Sequence, residues 1–198
     1  MNDGTDRPGM SLAEWAALPE DVRGELVEGV LVPEEEPTRD HETVVTWLLS
    51  RLYGWLRAHG GLVLGSEAKL AVGIGRGRKP DLSIYLPGAP APGPDDALLD
   101  HPPSLVVEVV APHPRDARRD AVEKLHDYAA LGVETYWILN PALRSAEVFE
   151  LDARGRYARA TSAKGGDLEV RGCPGLKVDL DALWAAVARA ADDPFEGY

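Results

Sequence analysis

Lys79-Pro80-Asp81-Leu82-Ser83-Ile84-Tyr85 and, one loop later, Ser104-Leu105-Val106-Val107-Glu108-Val109-Val110 are the stretches whose reading decides the fold. The second is apolar and β-branched at both alternating sets of positions, with Glu108 the one exception. That pattern marks a central strand buried on both faces. Pro112 and Pro114 end it. Asp116 to Leu131 has helical spacing and closes at Gly132, and Thr135 to Leu139 is a further apolar strand stopped by Asn140-Pro141. Pro80 sits at a strand entrance, where a missing N–H is tolerated. A strand–helix–strand unit beside antiparallel hairpins predicts an α/β (α+β) mixed central sheet with helices on its faces.

On the N-terminal side, residues 1–10 read as a flexible tail. Ser11-Leu12-Ala13-Glu14 is a capping-box pattern that opens a short helix. Glu25 to Val32 reads as two short strands hinged at Glu28-Gly29. Thr38 or Asp40 caps a long helix running to about His59, with Val44, Val45, Leu48, Leu49, Leu52, Trp55 and Leu56 at helical spacing and Gly60-Gly61 as its stop. Leu62–Leu64 and Lys69–Val72 read as strands, and Gly73 to Gly77 as a glycine-rich tip. Residues 87–103 are a surface loop. Beyond the core, Ser145–Leu151, Tyr157–Thr161 and Leu168–Val170 form an antiparallel meander, followed by a helix over Asp179–Arg189. Residues 11–190 make one domain, and 191–198 are an acidic tail.

Composition sets the limits. The chain has 198 residues and a formal net charge of −12. Such a balance disfavours broad, nonspecific binding to nucleic acid, which depends on Lys and Arg neutralising phosphates. Two local basic groups, Arg76-Arg78-Lys79 and Arg115-Arg118-Arg119, run against the overall charge. Cys173 is the only cysteine, so no intrachain disulfide forms. The start of the chain has no apolar signal region, and no stretch is long enough to span a bilayer. A cytoplasmic protein with no membrane partner is expected.

Glu108 is the most informative residue. A lone carboxylate among apolar neighbours is costly unless it is paired, protonated or bound to metal. Asp81, at the start of the preceding strand, can meet it, because adjacent strands lie about 4.8 Å apart. Two carboxylates suit a hard divalent cation, whose shell water and phosphate complete. Lys124 shares a helical stripe with Asp116, Asp120 and Tyr128. The bland reading of that stripe is a surface Asp120–Lys124 pair. The chemical reading is a cation turned over the acids, where it orients water and screens charge developing on phosphorus.

These residues resemble a known family. Pro80-Asp81, Glu108-Val109, Asp120-x-x-x-Lys124-x-x-x-Tyr128 and Tyr136-Trp137-Ile138-Leu139 are similar in order and spacing to the Uma2 family of restriction-endonuclease-like proteins, within the PD-(D/E)xK nuclease superfamily. Glu25-Leu26-Val27-Glu28-Gly29 and His41 match further positions, and the resemblance spans roughly residues 20–150. It implies a restriction-endonuclease-like mixed sheet flanked by helices, with Mg²⁺ (or Mn²⁺) serving DNA cleavage. Asp81 and Glu108 would then be metal ligands, Lys124 the superfamily lysine, and Glu25 an additional acid. His41, Glu28, Asp120 and Tyr128 would be accessory, and Arg76, Arg78 and Lys79 would contact the DNA backbone. Three departures stand out. Val110 occupies the usual lysine position, two after the strand acid. Glu28 replaces a common Asp, and Ala111-Pro112-His113 lacks a common hydroxyl. One site per chain favours a two-fold homodimer for double-strand cutting.

Other chemistries are poorly supported. The five histidines show no zinc spacing. Gly73-Ile74-Gly75-Arg76-Gly77 lacks the features of a phosphate loop, and no Gly-x-Ser-x-Gly nucleophile occurs. The competing reading is a catalytically silent module whose acids form internal ion pairs and whose acidic surface recruits a basic partner.

Overall fold

The computed structural model describes residues 9–19, 21–34, 36–110 and 119–192. Its elements are α1 (Leu12–Ala16), β1 (Glu25–Val27), β2 (Val30–Val32), α2 (Arg39–His59), β3 (Leu62–Leu64), β4 (Leu70–Gly73), β5 (Arg76–Arg78), β6 (Leu82–Tyr85) and β7 (Leu105–Val109). A π-helical turn follows at Arg119–Lys124 and runs into α3 (Leu125–Leu131). Then come β8 (Thr135–Asn140), β9 (Ser145–Leu151), β10 (Tyr157–Ala163), β11 (Asp167–Glu169), β12 (Lys177–Asp179) and α4 (Leu180–Asp192).

The central sheet has the order β10-β9-β8-β7-β6-β3. Its β7–β8 pair is parallel, and its other pairs are antiparallel. That mixture follows from chain economy, since a parallel pair needs a crossover and the helical segment ending in α3 supplies it. All five residues of β7 are buried, as its two-faced apolar pattern requires. On one face, Leu82, Ile84, Leu105 and Val107 pack under α2 and α4. On the other, Val106, Tyr136 and Ile138 pack with Tyr128 of α3 and Leu70 of β4.

Local chemistry explains the boundaries. Ser11 and Glu14 close the expected capping box. Thr38, rather than Asp40, caps α2, accepting the His41 N–H, and Gly60 ends it in the left-handed region at φ 89°. Glu28 (φ 52°) and Gly29 (φ 76°) make the β1–β2 turn. Met10, which the sequence places in the N-terminal tail, donates to Gly29 O at 2.8 Å. The other tail residues, 1–8, lie outside the described residues, as do 193–198.

Three expectations need correction. A second, four-stranded antiparallel sheet, β2-β1-β5-β4, stands apart from the central one. It closes because Gly77 lies directly beneath the fully buried Trp15 ring, where a Cβ would collide with the indole. The meander also stops at β10: Leu168 pairs with Val178 in a separate β11–β12 hairpin. Finally, Arg119–Lys124 has π rather than α pitch, so the regular stripe through Asp120 and Lys124 is broken. Asp116 and the Asp120 side chain lie outside the described residues.

Candidate functional site

Of the residues singled out by sequence, Asp81, Glu108, Lys124, Tyr128, Glu25 and His41 form a connected set around the end of β7. Extending the β6–β7 register, in which Leu82 faces Val107, by one residue sets Asp81 opposite Glu108. Opposed positions share a face with Cβ atoms roughly 5 Å apart, and alternation puts that face on the α3 side with Val106. Glu108 is 3% exposed. Its Oε2 accepts from Lys124 Nζ at 2.7 Å and its Oε1 from the Tyr128 hydroxyl at 2.5 Å. Lys124 also lies 3.3 Å from Glu25 Oε1. From Lys124 onward the α pitch resumes, and the i, i+4 relation brings Lys124 and Tyr128 down on the same carboxylate. The bland surface Asp120–Lys124 pair therefore does not describe Lys124, which is 4% exposed and turned inward.

Asp81 is held differently. Its Oδ2 accepts the Val109 N–H at 2.6 Å, while Oδ1 lies 3.1 Å from His41 Nε2 at the start of α2. Burial alone would lower the His41 pKa. The hydrogen bond and charge of Asp81, together with nearby Glu42, outweigh burial and raise it above the usual value. A raised folded-state pKa stabilises the protein in full below the unfolded value of about 6.5, and that stability is lost as pH rises through the folded value. In EDTA, the melting-temperature gap between the parent and His41→Gln is expected to be widest in mild acid and to shrink as pH climbs above about 6.5. A gap that stays constant or widens with pH would remove the His41–Asp81 pair as its cause.

Beside this cluster lies an ion-pair network centred on Arg78, whose side chain is 0% exposed. Its Nη1 donates to Glu25 Oε2 at 2.9 Å and its Nε to Asp127 Oδ2 at 2.7 Å. Nη2 sits 2.6 Å from the same Asp127 oxygen, close enough for an ionic contact but at an angle that misses a second hydrogen bond. Burial would lower the guanidinium pKa, but the charges of Glu25 and Asp127 more than offset this and leave it raised. Arg76 bridges Asp127 (3.0 Å) and Glu28 (2.7 Å). The Lys79 ammonium lies between Glu34 and Glu67, and its backbone N–H donates to Glu25.

This corrects the expected DNA-backbone patch. Arg78 is sealed in the interior and Lys79 is buried between two acids, because carboxylates brought from β1, the β2–α2 link and α3 claim both cations. Of the three, only Arg76 reaches the surface. The sequence reading also missed Asp127. A signal was present: Asp127 stands three residues after Lys124 and beside Tyr128, on the inward side of the helix.

The fit to a metal can be judged from these residues. Among the described residues, no group of three or more His, Cys, Asp or Glu side chains is placed to hold an ion. Two opposed carboxylates remain, Asp81 and Glu108. Their hard oxygen donors match Mg²⁺, which commonly takes one or two carboxylates and fills its shell with water and phosphate. Each carboxylate oxygen has lone pairs beyond the bond it accepts here. The pair therefore fits, with Asp81, at 9% exposure, the more accessible member. Glu25 is turned towards Arg78 and Lys124 and acts as a partner of the lysine.

No helix among the described residues is long and apolar enough to cross a membrane. Comparison with curated proteins finds no match. Among solved structures, the fold matches the "putative nuclease belonging to DUF820" from Anabaena variabilis ATCC 29413, with a TM-score of 0.72 at 15% identity, covering 90% of this chain and 99% of that one. The model of the Uma2 family, described as "Putative restriction endonuclease", matches residues 11–183. That match takes in every strand, α1 to α3 and the first turn of α4, so the chain is a member of the Uma2 family.

Proposed function

We propose that the protein is a metal-dependent endonuclease that hydrolyses DNA phosphodiester bonds. The observation that carries this reading is that Asp81, just before β6, bonds the Val109 N–H of β7 next to Glu108, whose carboxylate has the Lys124 ammonium at 2.7 Å. Family membership supports the reaction class. Asp81 and Glu108 would hold Mg²⁺ or Mn²⁺, and the cation would supply Lewis-acid charge at a phosphoryl oxygen. The Val109 N–H and His41 fix the Asp81 carboxylate, and Tyr128 fixes Glu108. Lys124 places a positive charge beside the carboxylate pair, where it can orient a water and stabilise charge gathering on phosphate. Glu25 holds the lysine in place from its other side.

The test is nicking of supercoiled plasmid with Mg²⁺ or Mn²⁺. The parent is expected to nick, EDTA to stop it, and Lys124→Met to slow it by about 10²–10³-fold, the usual cost of removing one preorganised charge or donor. Nicking that survives EDTA, or that proceeds equally fast without Lys124, would sink the assignment.

One observation favours the silent-module reading. Glu25, Glu108 and Lys124 are only 1%, 3% and 4% exposed and are bonded to one another. Under that reading the parent does not nick, and divalent cations leave its melting temperature unchanged.

A further inference from the structure

We propose that the outer crest of α2 is a docking surface for the sugar–phosphate backbone of a nucleic acid, separate from the carboxylate–lysine cluster. The choice of nucleic acid as occupant rests on the nuclease reading. The surface itself rests on how charge is distributed over the fold.

The chain carries 33 acidic residues in 198, yet none between Thr43 and Ser66. Within α2, acids occur only in the first turn, at Asp40 and Glu42. Elsewhere the arginines and lysines near the site are neutralised: Arg76, Arg78, Lys79 and Lys124 all sit on carboxylates. On α2, by contrast, Arg39, Arg51 and Arg57 make no ion pair among the described residues. Charges left unmatched in an acidic protein point to an anion from outside.

Helical phase puts these groups in one line. Val44, Leu48, Leu52 and Leu56 face the core. At 3.6 residues per turn, the opposite crest is Arg39, Thr43, Thr46, Ser50, Gly54 and Arg57. Arg39 and Arg57 are five turns apart, roughly 27 Å along the axis, which is most of a turn of duplex DNA. Everything on this crest is a donor or a glycine. Guanidinium and hydroxyl groups are the usual side-chain partners of phosphate oxygens. The hydroxyls of Thr43 and Ser50 now donate to the helix's own carbonyls, and a χ1 rotation frees them. Gly54 is exposed, and a Cβ there would meet nothing within 4 Å. An exposed mid-helix glycine weakens a helix relative to alanine, and here no internal contact requires it. It does leave room for a backbone to lie close. Arg51 flanks the crest with its guanidinium 5.0 Å from the Trp47 ring centroid, which holds the charge outward on a rigid base. Arg39 stands in the first turn, where the helix dipole disfavours a cation, so helix stability does not account for it.

The neighbouring α4 adds little acid, with Asp181 and Arg189 exposed among alanines. His41 meets Asp81 from the core-facing side of α2, while the crest faces the opposite way, so this surface anchors the polymer and does not carry the reaction.

The experiment measures binding of a fluorescein-labelled 30-base-pair duplex to the full chain in EDTA, by anisotropy over a salt series. Arg39→Glu/Arg51→Glu/Arg57→Glu is compared with the parent and with a charge-matched control of exposed cations elsewhere, Arg144→Glu/Arg154→Glu/Lys164→Glu. The crest triple variant is expected to bind at least ~10-fold more weakly and to lose about three units of log–log salt slope, near 0.9 per phosphate contact. The charge-matched control, Arg144→Glu/Arg154→Glu/Lys164→Glu, is expected to keep most of the parent's affinity and salt slope. Circular dichroism checks that the crest triple variant is folded, and Arg51→Gln/Arg57→Gln provides a milder second test with the same direction. Parent-like binding by both crest variants overturns the proposal. So does a parent that ignores the duplex but binds polyglutamate through these arginines, which would assign the crest to an acidic protein instead. A protein that binds DNA through the crest yet never nicks would refute the hydrolytic reading and leave this surface standing.

Discussion

Arg78→Met is expected to destabilise the fold by about 3 kcal/mol, the lower end of the cost of breaking a buried ion pair from one side. The loss does not come from the methionine, which fills similar space. It comes from Glu25 and Asp127, left 1% and 3% exposed with their closest cation gone. Each keeps another cation nearby, Lys124 at 3.3 Å and Arg76 at 3.0 Å, which limits the penalty. Arg78→Lys is expected to recover less than half of the loss, since one ammonium cannot serve two carboxylates that now meet separate edges of a planar guanidinium. Arg78→Met/Glu25→Gln/Asp127→Asn is expected to be more stable than Arg78→Met alone, because it removes the stranded charges. Urea unfolding measures all three. If Arg78→Met unfolds within about 1 kcal/mol of the parent, the network does not tie the β2-β1-β5-β4 sheet to α3 as strongly as a buried ion pair should.

The ease of reading each part of this chain follows from where its information lies. Glu108 was legible because burial makes an isolated carboxylate expensive, so a single acid in an apolar run already calls for a partner. The β1–β2 turn was legible because Glu28-Gly29 between short apolar runs leaves few alternatives. The β11–β12 hairpin was not. Lys177-Val178-Asp179 has one apolar residue between two charged ones, too little for periodicity to register, and its apolar pairing is the single contact of Leu168 with Val178 in the register. Arg78 was misread for a related reason. Beside Arg76 and Lys79 at a glycine-rich tip it looks like a surface cation, and only carboxylates about fifty positions away in either direction draw it inside. The π pitch before Lys124 left no signal either, yet it sets the phase with which Lys124 and Tyr128 reach Glu108, a placement in keeping with the frequency of π turns at functional sites.

Mg²⁺ or Mn²⁺ at millimolar concentration is expected to raise the melting temperature of the parent, and Asp81→Asn/Glu108→Gln to abolish that rise. A ligand that binds only the folded state stabilises it by RT ln(1 + [L]/Kd), about 2.7 kcal/mol at a hundredfold excess over Kd. In a chain of this size that corresponds to a shift of roughly 5–10 °C. The substitutions are near-isosteric, so they test charge rather than packing. Each should destabilise the metal-free protein, because each removes the anion from a buried cationic partner. Asp81→Asn loses a charged partner of His41 at 3.1 Å and should destabilise. Glu108→Gln keeps an acceptor for Lys124 but replaces one oxygen with an amide, which faces the Tyr128 hydroxyl or the ammonium in place of an anion. Loss of Lys124 makes the complementary case: with the ammonium gone from Glu108, Lys124→Met should bind the divalent cation at least as tightly as the parent while nicking far more slowly. That separation of binding from turnover is the signature of a lysine that acts on the reacting phosphate. A Lys124→Met protein that loses the metal response along with the nicking would reduce the lysine to a structural counter-ion of Glu108.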